Sequence, residues 1–249
     1  NQSKYLKIKQ LKVTVPYVKL FGLKGKFDIR VNELDFDYDY LLTRSKNLFK
    51  SYKQNKNLKN DLFNLKVSKM RVFDSKDEKG SILFNKFIIK DVFNNNSSAV
   101  ELTFENREEN SLVQGIESNV KIVGEVNIHK FLSSNNKADF KLVILFSDAE
   151  IKAVKSKLPD FEIVFEGGVD SRLDVVSKFK GNLLQIGNIS GELVKEKDSI
   201  YISNIKSSLE LDGFLDIFKP QSVALVKTLV QPKTKVDIQG PLVYEKSYG

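Results

Sequence analysis

Apolar side chains recur at every second position along most of this chain. Strands with one greasy and one wet face have this period, because successive Cβ atoms point to opposite sides of the backbone. The first run is Leu6, Ile8, then Leu11, Val13, Val15 and Tyr17, with Lys7, Lys9, Lys12 and Thr14 between. After the turn-prone Phe21-Gly22-Leu23-Lys24-Gly25 come Phe27, Ile29 and Val31, and the phase then changes at Asn32-Glu33 to give Leu34, Phe36, Tyr38 and Tyr40. A one-residue slip that keeps the apolar face predicts a β-bulge or a sharp bend. The period returns in Leu65-Val67, Met70-Val72, Val100-Leu102-Phe104, Phe140-Leu142-Ile144-Phe146, Phe161-Ile163-Phe165, Phe179-Leu183, Ile200-Ile202 and Leu209-Leu211.

Polar clusters at 74–80, 94–98, 108–110, 133–136, 166–168 and 195–198 separate these runs and predict turns, so the connections read as local and the pairing as antiparallel. Three segments carry helical signals instead. Leu41, Leu42, Leu48, Phe49 and Tyr52 share one helical face over 40–54. Residues 148–158 start at a capping Ser147 or Asp148 and are followed by Pro159, and 220–230 are closed by Pro232. The expected fold class is mainly β: an extended, twisted antiparallel sheet, as an open β-groove or a layered sheet, with two or three short helices. Residues 1–249 are expected to form one elongated β domain, with a subdivision near 135–160.

Composition narrows the function. The hydrophobic share of 41% and charged share of 29% suit a soluble or peripheral domain, and no apolar run reaches the roughly 18 residues a membrane helix needs. There is no Cys, which excludes disulfides and thiolate chemistry. A start at Asn1, without a signal-like segment, reads as a piece of a longer membrane-anchored protein whose anchor lies outside this chain. The charge is local: residues 1–70 hold 16 Lys and Arg against 6 Asp and Glu, and the remainder 24 against 26. That balance directs attention to one basic region.

Catalytic chemistry has little to work with. His129 is the only histidine, so a Ser-His-Asp constellation or a His-rich zinc site finds no second ligand. Asp35, Asp37 and Asp39 alternate with Leu34, Phe36, Tyr38 and Tyr40, a row that reads as a solvated strand face or, less simply, a hard-cation site. The glycine clusters form neither a strand–GxGxxG–helix unit nor a P-loop. No catalytic residue, cofactor or metal is therefore expected. The basic stretch with Arg44, Lys46, Lys50 and Lys53 interleaved by Leu48 and Phe49 reads as a helix that covers a greasy surface of its own protein or lies on an anionic membrane. It lacks the motifs of RNA and DNA readers, so no nucleic-acid partner is expected.

The informative excess is apolar area on strands. Such strands can close a sandwich, close a barrel, or leave one curved sheet with an open apolar wall. An open wall is the physical requirement for holding acyl chains, since each buried methylene contributes about 0.8 kcal/mol. Its candidate lining residues are Leu11, Val13, Val15, Phe27, Ile29, Val31, Phe140, Leu142, Ile144, Phe161, Ile163 and Phe165.

The succession KQLKVTVPYVKLFGLKGKFDIRVNELDFDY, the basic stretch, LFNLKVSKMRVFD, ILFNKFIIKDVF and GNLLQIGNISGELVKEKDSIYISNIKSSLELDG resembles the AsmA-like proteins, which include the TamB and YhdP groups of Gram-negative envelopes. The resemblance covers most of the chain. It implies a periplasmic protein anchored to the inner membrane, with a β-groove that shelters or moves phospholipid between membranes and no catalytic residues. The alternative is a structural scaffold or ring component of a periplasmic machine, a homo- or hetero-oligomer joined to another envelope protein through strand edges and apolar patches. A β-rich carbohydrate-active enzyme stands third.

Overall fold

In the computed structural model, residues 6–16, 25–38, 40, 62–74, 77–92, 97–107, 115–127, 137–153, 155–170, 174–183, 186–196, 199–216, 235–240 and 244–247 are described. The period-two runs become strands β1 (Leu6–Thr14), β2 (Lys26–Asp37), β3 (Leu62–Asp74), β4 (Asp77–Phe84), β5 (Lys86–Val92), β6 (Ser98–Asn106), β7 (Ile116–Val126) and β8 (Lys137–Ile151). The two-residue β9 (Ser156–Lys157) is followed by β10 (Phe161–Asp170), β11 (Val175–Leu183), β12 (Gly187–Glu196), β13 (Ser199–Glu210), the helix α1 (Leu211–Asp216), β14 (Lys235–Gly240) and β15 (Tyr244–Ser247). The protein is mainly β.

Two compact units divide the chain: Asn1–Glu105 with Lys121–Phe140, and Asn106–Val120 with Lys141–Gly249, so β7 and β8 give residues to both. In the first unit the strand order begins β1-β2-β3-β5-β6. β4 and β5, separated by Asn85, share one edge of β3: Phe84 pairs with Met70 and Phe87 with Val67. The core here is Val31, Val67 and Met70, packed against Ile29, Leu34, Phe36, Leu65, Val72, Phe84, Phe87 and Leu102. In the second unit β10-β11-β12-β13-β14 is antiparallel throughout, with β15 also on β13. Phe165 and Phe179 stand opposite with ring centroids 5.8 Å apart. Phe179 also covers Gly191, where an added Cβ would meet its ring at 2.6 Å. A ring lying on a strand glycine restores packing that the missing side chain gives up.

One pairing departs from the expected antiparallel pattern. β2 and β3 are parallel, with Phe27 beside Phe63, Ile29 beside Leu65 and Val31 beside Val67. Parallel partners cannot be joined by a tight hairpin. Joining parallel partners means returning the length of a strand, about 36 Å for β2 at about 3.3 Å per residue. Local turn signals do not reveal such a crossover. The return opens with a helical turn at Tyr38 and Tyr40, where the Tyr40 N–H donates to Asp37 Oδ1 at 3.2 Å, an N-cap bond.

A recurring break explains how the strands keep one apolar face. Ile8-Lys9-Gln10-Leu11, Ile89-Lys90-Asp91-Val92, Phe146-Ser147-Asp148-Ala149 and Ile202-Ser203-Asn204-Ile205 each place two apolar residues three apart. The third residue of each is left-handed, with φ 55°, 55°, 51° and 52°. Three-residue spacing within a strand puts its ends on opposite faces unless the backbone departs from the pleat, and a left-handed residue does this. At Asp91 and Asn204 the ladder shifts by one residue, as a bulge requires. Side chains secure these places. Asn64 accepts from the Asp91 N–H at 3.1 Å and donates to Asp28, Lys26 pairs with Asp91 at 2.5 Å, and Asn204 donates to Glu192 at 2.8 Å.

The slip at Asn32-Glu33 is not the bulge its phase change predicts: Asn32 is not left-handed, and both ladders of β2 run through it without a shift. Val31 and Leu34 lie in one cluster, as do Val67 and Met70 across Ser68-Lys69. The ladders around Gln10, Asn32 and Ser68 place all three in one transverse row and keep their register on both sides of it. Because the three strands change phase together, none has to shift against its neighbour.

Several local expectations change. Residues 148–158 do not form a helix: β8 runs to Ile151, and a tight turn with Lys155 left-handed leads to β9, where Ser156 pairs with Ile151. Asp148, whose capping character suggested a helix start, is instead a left-handed residue inside β8. Gly167 and Gly168 lie inside β10 and not in a turn, because Gly167 sits against the β11 backbone at Val176 and Ser177 with no room for a Cβ. Leu211, expected in a strand, opens α1 instead, which buries Leu215. The helix expected at 220–230, and all but Tyr40 of the one at 40–54, lie outside the described residues.

Backbone handedness at the breaks is testable. Asn204→Val forces a β-branched residue into the left-handed region and should lower stability by about 1–3 kcal/mol, whereas Asn204→Gly should stay within about 1 kcal/mol of the parent. Urea denaturation of both variants checks this.

Candidate functional site

The first unit assembles six of the twelve candidate groove residues on one face. Leu11 stands opposite Val31 and Val13 opposite Ile29, and Val15 and Phe27 continue the same alternation. Phe63, Leu65 and Val67 extend the patch on β3. Its cover is graded across the strands. Leu11, Val13 and Val15 are 57%, 50% and 52% exposed, Phe27 and Ile29 are half-buried, and Val31 is 5% exposed. The edge of the apolar face therefore meets water directly.

The second unit carries its own apolar face. The Phe146 and Phe161 rings stack with centroids 4.4 Å apart, which puts Leu142, Ile144 and Phe146 of β8 on the side of Phe161, Ile163 and Phe165 of β10. Phe140, counted in the first unit, keeps the same alternation along β8. Phe161 pairs with Leu183, Ile163 with Gly181 and Phe165 with Phe179. Phe140, Leu142, Ile144, Phe161, Ile163 and Phe165 are all half-buried. A two-layer core buries such residues fully on the covered side. Here phenylalanine and branched aliphatic side chains keep surface available for an apolar ligand.

The other faces are held by cross-strand charge pairs. Lys9 pairs with Glu33, Arg71 with Asp35 at 2.9 Å, Lys86 with Glu101 at 2.9 Å, and Lys141 with Glu166 at 2.6 Å. The aspartate row is divided among different duties. Asp35 holds Arg71, Asp37 is buried as the helix cap, and Asp39 lies outside the described residues. Among the described residues no cluster of three His, Asp or Glu side chains is placed to hold a metal ion.

His129 and the cover candidates Arg44, Lys46, Leu48, Phe49, Lys50 and Lys53 lie outside the described residues. No helix among the described residues is long and apolar enough to cross a membrane. The residues that sequence reading passed over are those on β3, β11 and β12 that complete each patch, such as Phe63 and Phe179. Their period was visible, but their partners depended on the parallel pair and on the bulges. Compared with protein-family models, curated proteins and solved structures, the chain gives no match.

The charged faces carry a pH dependence. The Lys86 hydrogen bond, aided by the charges of Lys86 and Lys121 and opposed by desolvation, holds the Glu101 carboxyl below its ordinary 4.5. A lowered carboxylate pKa stabilises the fold fully above the ordinary value and loses that contribution as pH falls through the lowered one. The pair is partly exposed, so its worth is about 0.2–1 kcal/mol. Lys86→Met should flatten the fall in urea midpoint below about pH 4.5 relative to the parent.

Proposed function

We propose that this chain is a non-enzymatic, AsmA-like component of a Gram-negative cell envelope that holds phospholipid acyl chains along the apolar faces of its strands and serves their passage between membranes. In this reading it works in the periplasm, attached to the inner membrane through a segment outside this chain. The observation that carries the proposal is the incomplete cover of contiguous apolar rows, from Leu11, Val13 and Val15 to Phe27 and Ile29 in one unit and through Leu142, Ile144, Phe161 and Ile163 in the other. A half-covered apolar row offers a chain ligand lateral contact without a closed cavity, so ligands of different length share one wall. Specificity then rests on methylene count and not on hydrogen bonds.

A second reading, a scaffold or ring component of an envelope machine, is favoured by β1. This strand is exposed on both faces over its whole length, and exposed strands with apolar side chains are templates for pairing with another chain. Concentration-dependent assembly in analytical ultracentrifugation that Val13→Asp abolishes, with no lipid bound, would favour it.

The lipid reading predicts that the purified full chain releases phospholipid on solvent extraction and binds it in native mass spectrometry. Val13→Asp, at a half-exposed position, should reduce bound lipid several-fold, whereas Lys12→Gln on the opposite side should not. Shortening each acyl chain by two methylenes at half coverage should weaken binding by about 0.8 kcal/mol per chain, or about fourfold. Recovery of no phospholipid from the folded parent protein would overturn the proposal.

A further inference from the structure

The geometry points to a phosphate-binding site on the polar side of β10 to β13, in a cleft of about 430 Å³. Its walls pair the polar Lys180, Asn182, Asn188, Ser190 and Lys206 with the apolar Val164 and Ile189, and Glu162 lines it from β10. Register puts these side chains in two adjacent rows. Lys180 stands opposite Ser190, and Ser190 opposite Lys206; in the next row Glu162 stands opposite Asn182, and Asn182 opposite Asn188. The two lysines therefore flank one serine across three strands, about 10 Å apart at about 4.8 Å per strand. Their flexible four-carbon stems let both ammonium groups converge above Ser190.

Neither lysine forms a salt bridge among the described residues: Glu166 feels the charge of Lys180 but is bonded to Lys141, and Glu192 accepts from Asn204. Two ammonium groups on either side of one hydroxyl form an arrangement that an anion can bridge. A phosphoester fits better than a carboxylate: the three free oxygens of a monoester, or the two of a diester with its bridging oxygens, can take both ammonium groups together with the Ser190 hydroxyl and the Asn182 and Asn188 amides. Glu162 accepts and does not donate, so it suits a hydroxyl or ammonium on the group esterified to the phosphate. The ligand class is a phosphate monoester or diester carrying such a donor, free or as a lipid headgroup.

This site stands apart from the apolar faces. Its charged residues alternate along the strands with Ile163, Phe165 and Phe179, none of which lines the cleft. Failure of one reading therefore leaves the other intact.

Titrating the full chain with glycerol 3-phosphate should give saturable backbone-amide shifts at 188–190 and 206–208 by NMR. Lys180→Gln and Lys206→Gln should each weaken binding at least fivefold, and the double variant should abolish it while leaving acyl-chain binding unchanged. Both lysines are exposed, so the variants should keep the parent spectrum elsewhere. Sedimentation with phosphatidylglycerol vesicles separates the sources. Capture that depends on both lysines indicates a headgroup, and binding of the soluble ester alone indicates a free phosphoester. No saturable shift and no lysine-dependent capture would overturn the site, as would unchanged affinity in the double variant.

Discussion

The pleat of a β-strand fixes a period of two, and the long strands of this protein keep one face apolar only by breaking that period at defined places. Ile8-Leu11, Ile89-Val92, Phe146-Ala149 and Ile202-Ile205 use the same device, an apolar pair three apart with a left-handed Gln, Asp or Asn before its second member. Without it, Ala149 and Ile151 would turn toward the side that carries Lys141 and Asp148. A left-handed residue with a Cβ costs about 1–2 kcal/mol, less for Asn and Asp. The cost is offset where the side chain finds a neighbouring strand: Asn119 donates to Asp148 at 2.9 Å and Asn204 to Glu192 at 2.8 Å.

Two solutions to the same constraint coexist. Where neighbouring strands change phase in one row, as at Gln10, Asn32 and Ser68, the ladders continue without a shift. Where one strand changes alone, as at Asp91 or Asn204, an extra residue bulges out. Either way the apolar side chains stay in register with apolar partners, Phe63 with Val92 and Leu193 with Ile202 among them. The result is a set of continuous greasy rows, and the proposed lipid contact depends on that continuity.

Much of this was legible in the sequence. The period-two runs located most of the strands, because alternation follows directly from the pleat. The slip at Asn32-Glu33 was visible because long runs flank it. The same signal at Ser147-Asp148 was read as a helix cap, since Asp and Ser serve both purposes and only the pairing of Glu150 with Lys157 separates them. The parallel pair was not legible: alternation carries no direction, so the periods of β2 and β3 do not by themselves place Val31 beside Val67. The candidate wall residues were found one strand at a time. Which of them meet depended on register, so Phe63 and Phe179 entered only with the structure.

In the proposed function, the rows kept continuous by these breaks touch acyl chains. Crosslinking with a phospholipid carrying a photoactivatable group near the end of one acyl chain, followed by peptide mapping, tests it most directly. Adducts are expected at Val13, Ile29, Leu142, Ile144, Phe161 and Ile163, and none at the intervening Lys12, Arg30, Lys141 or Glu162. Adducts spread equally over both sides of the strands, or confined to the charged side, would contradict it.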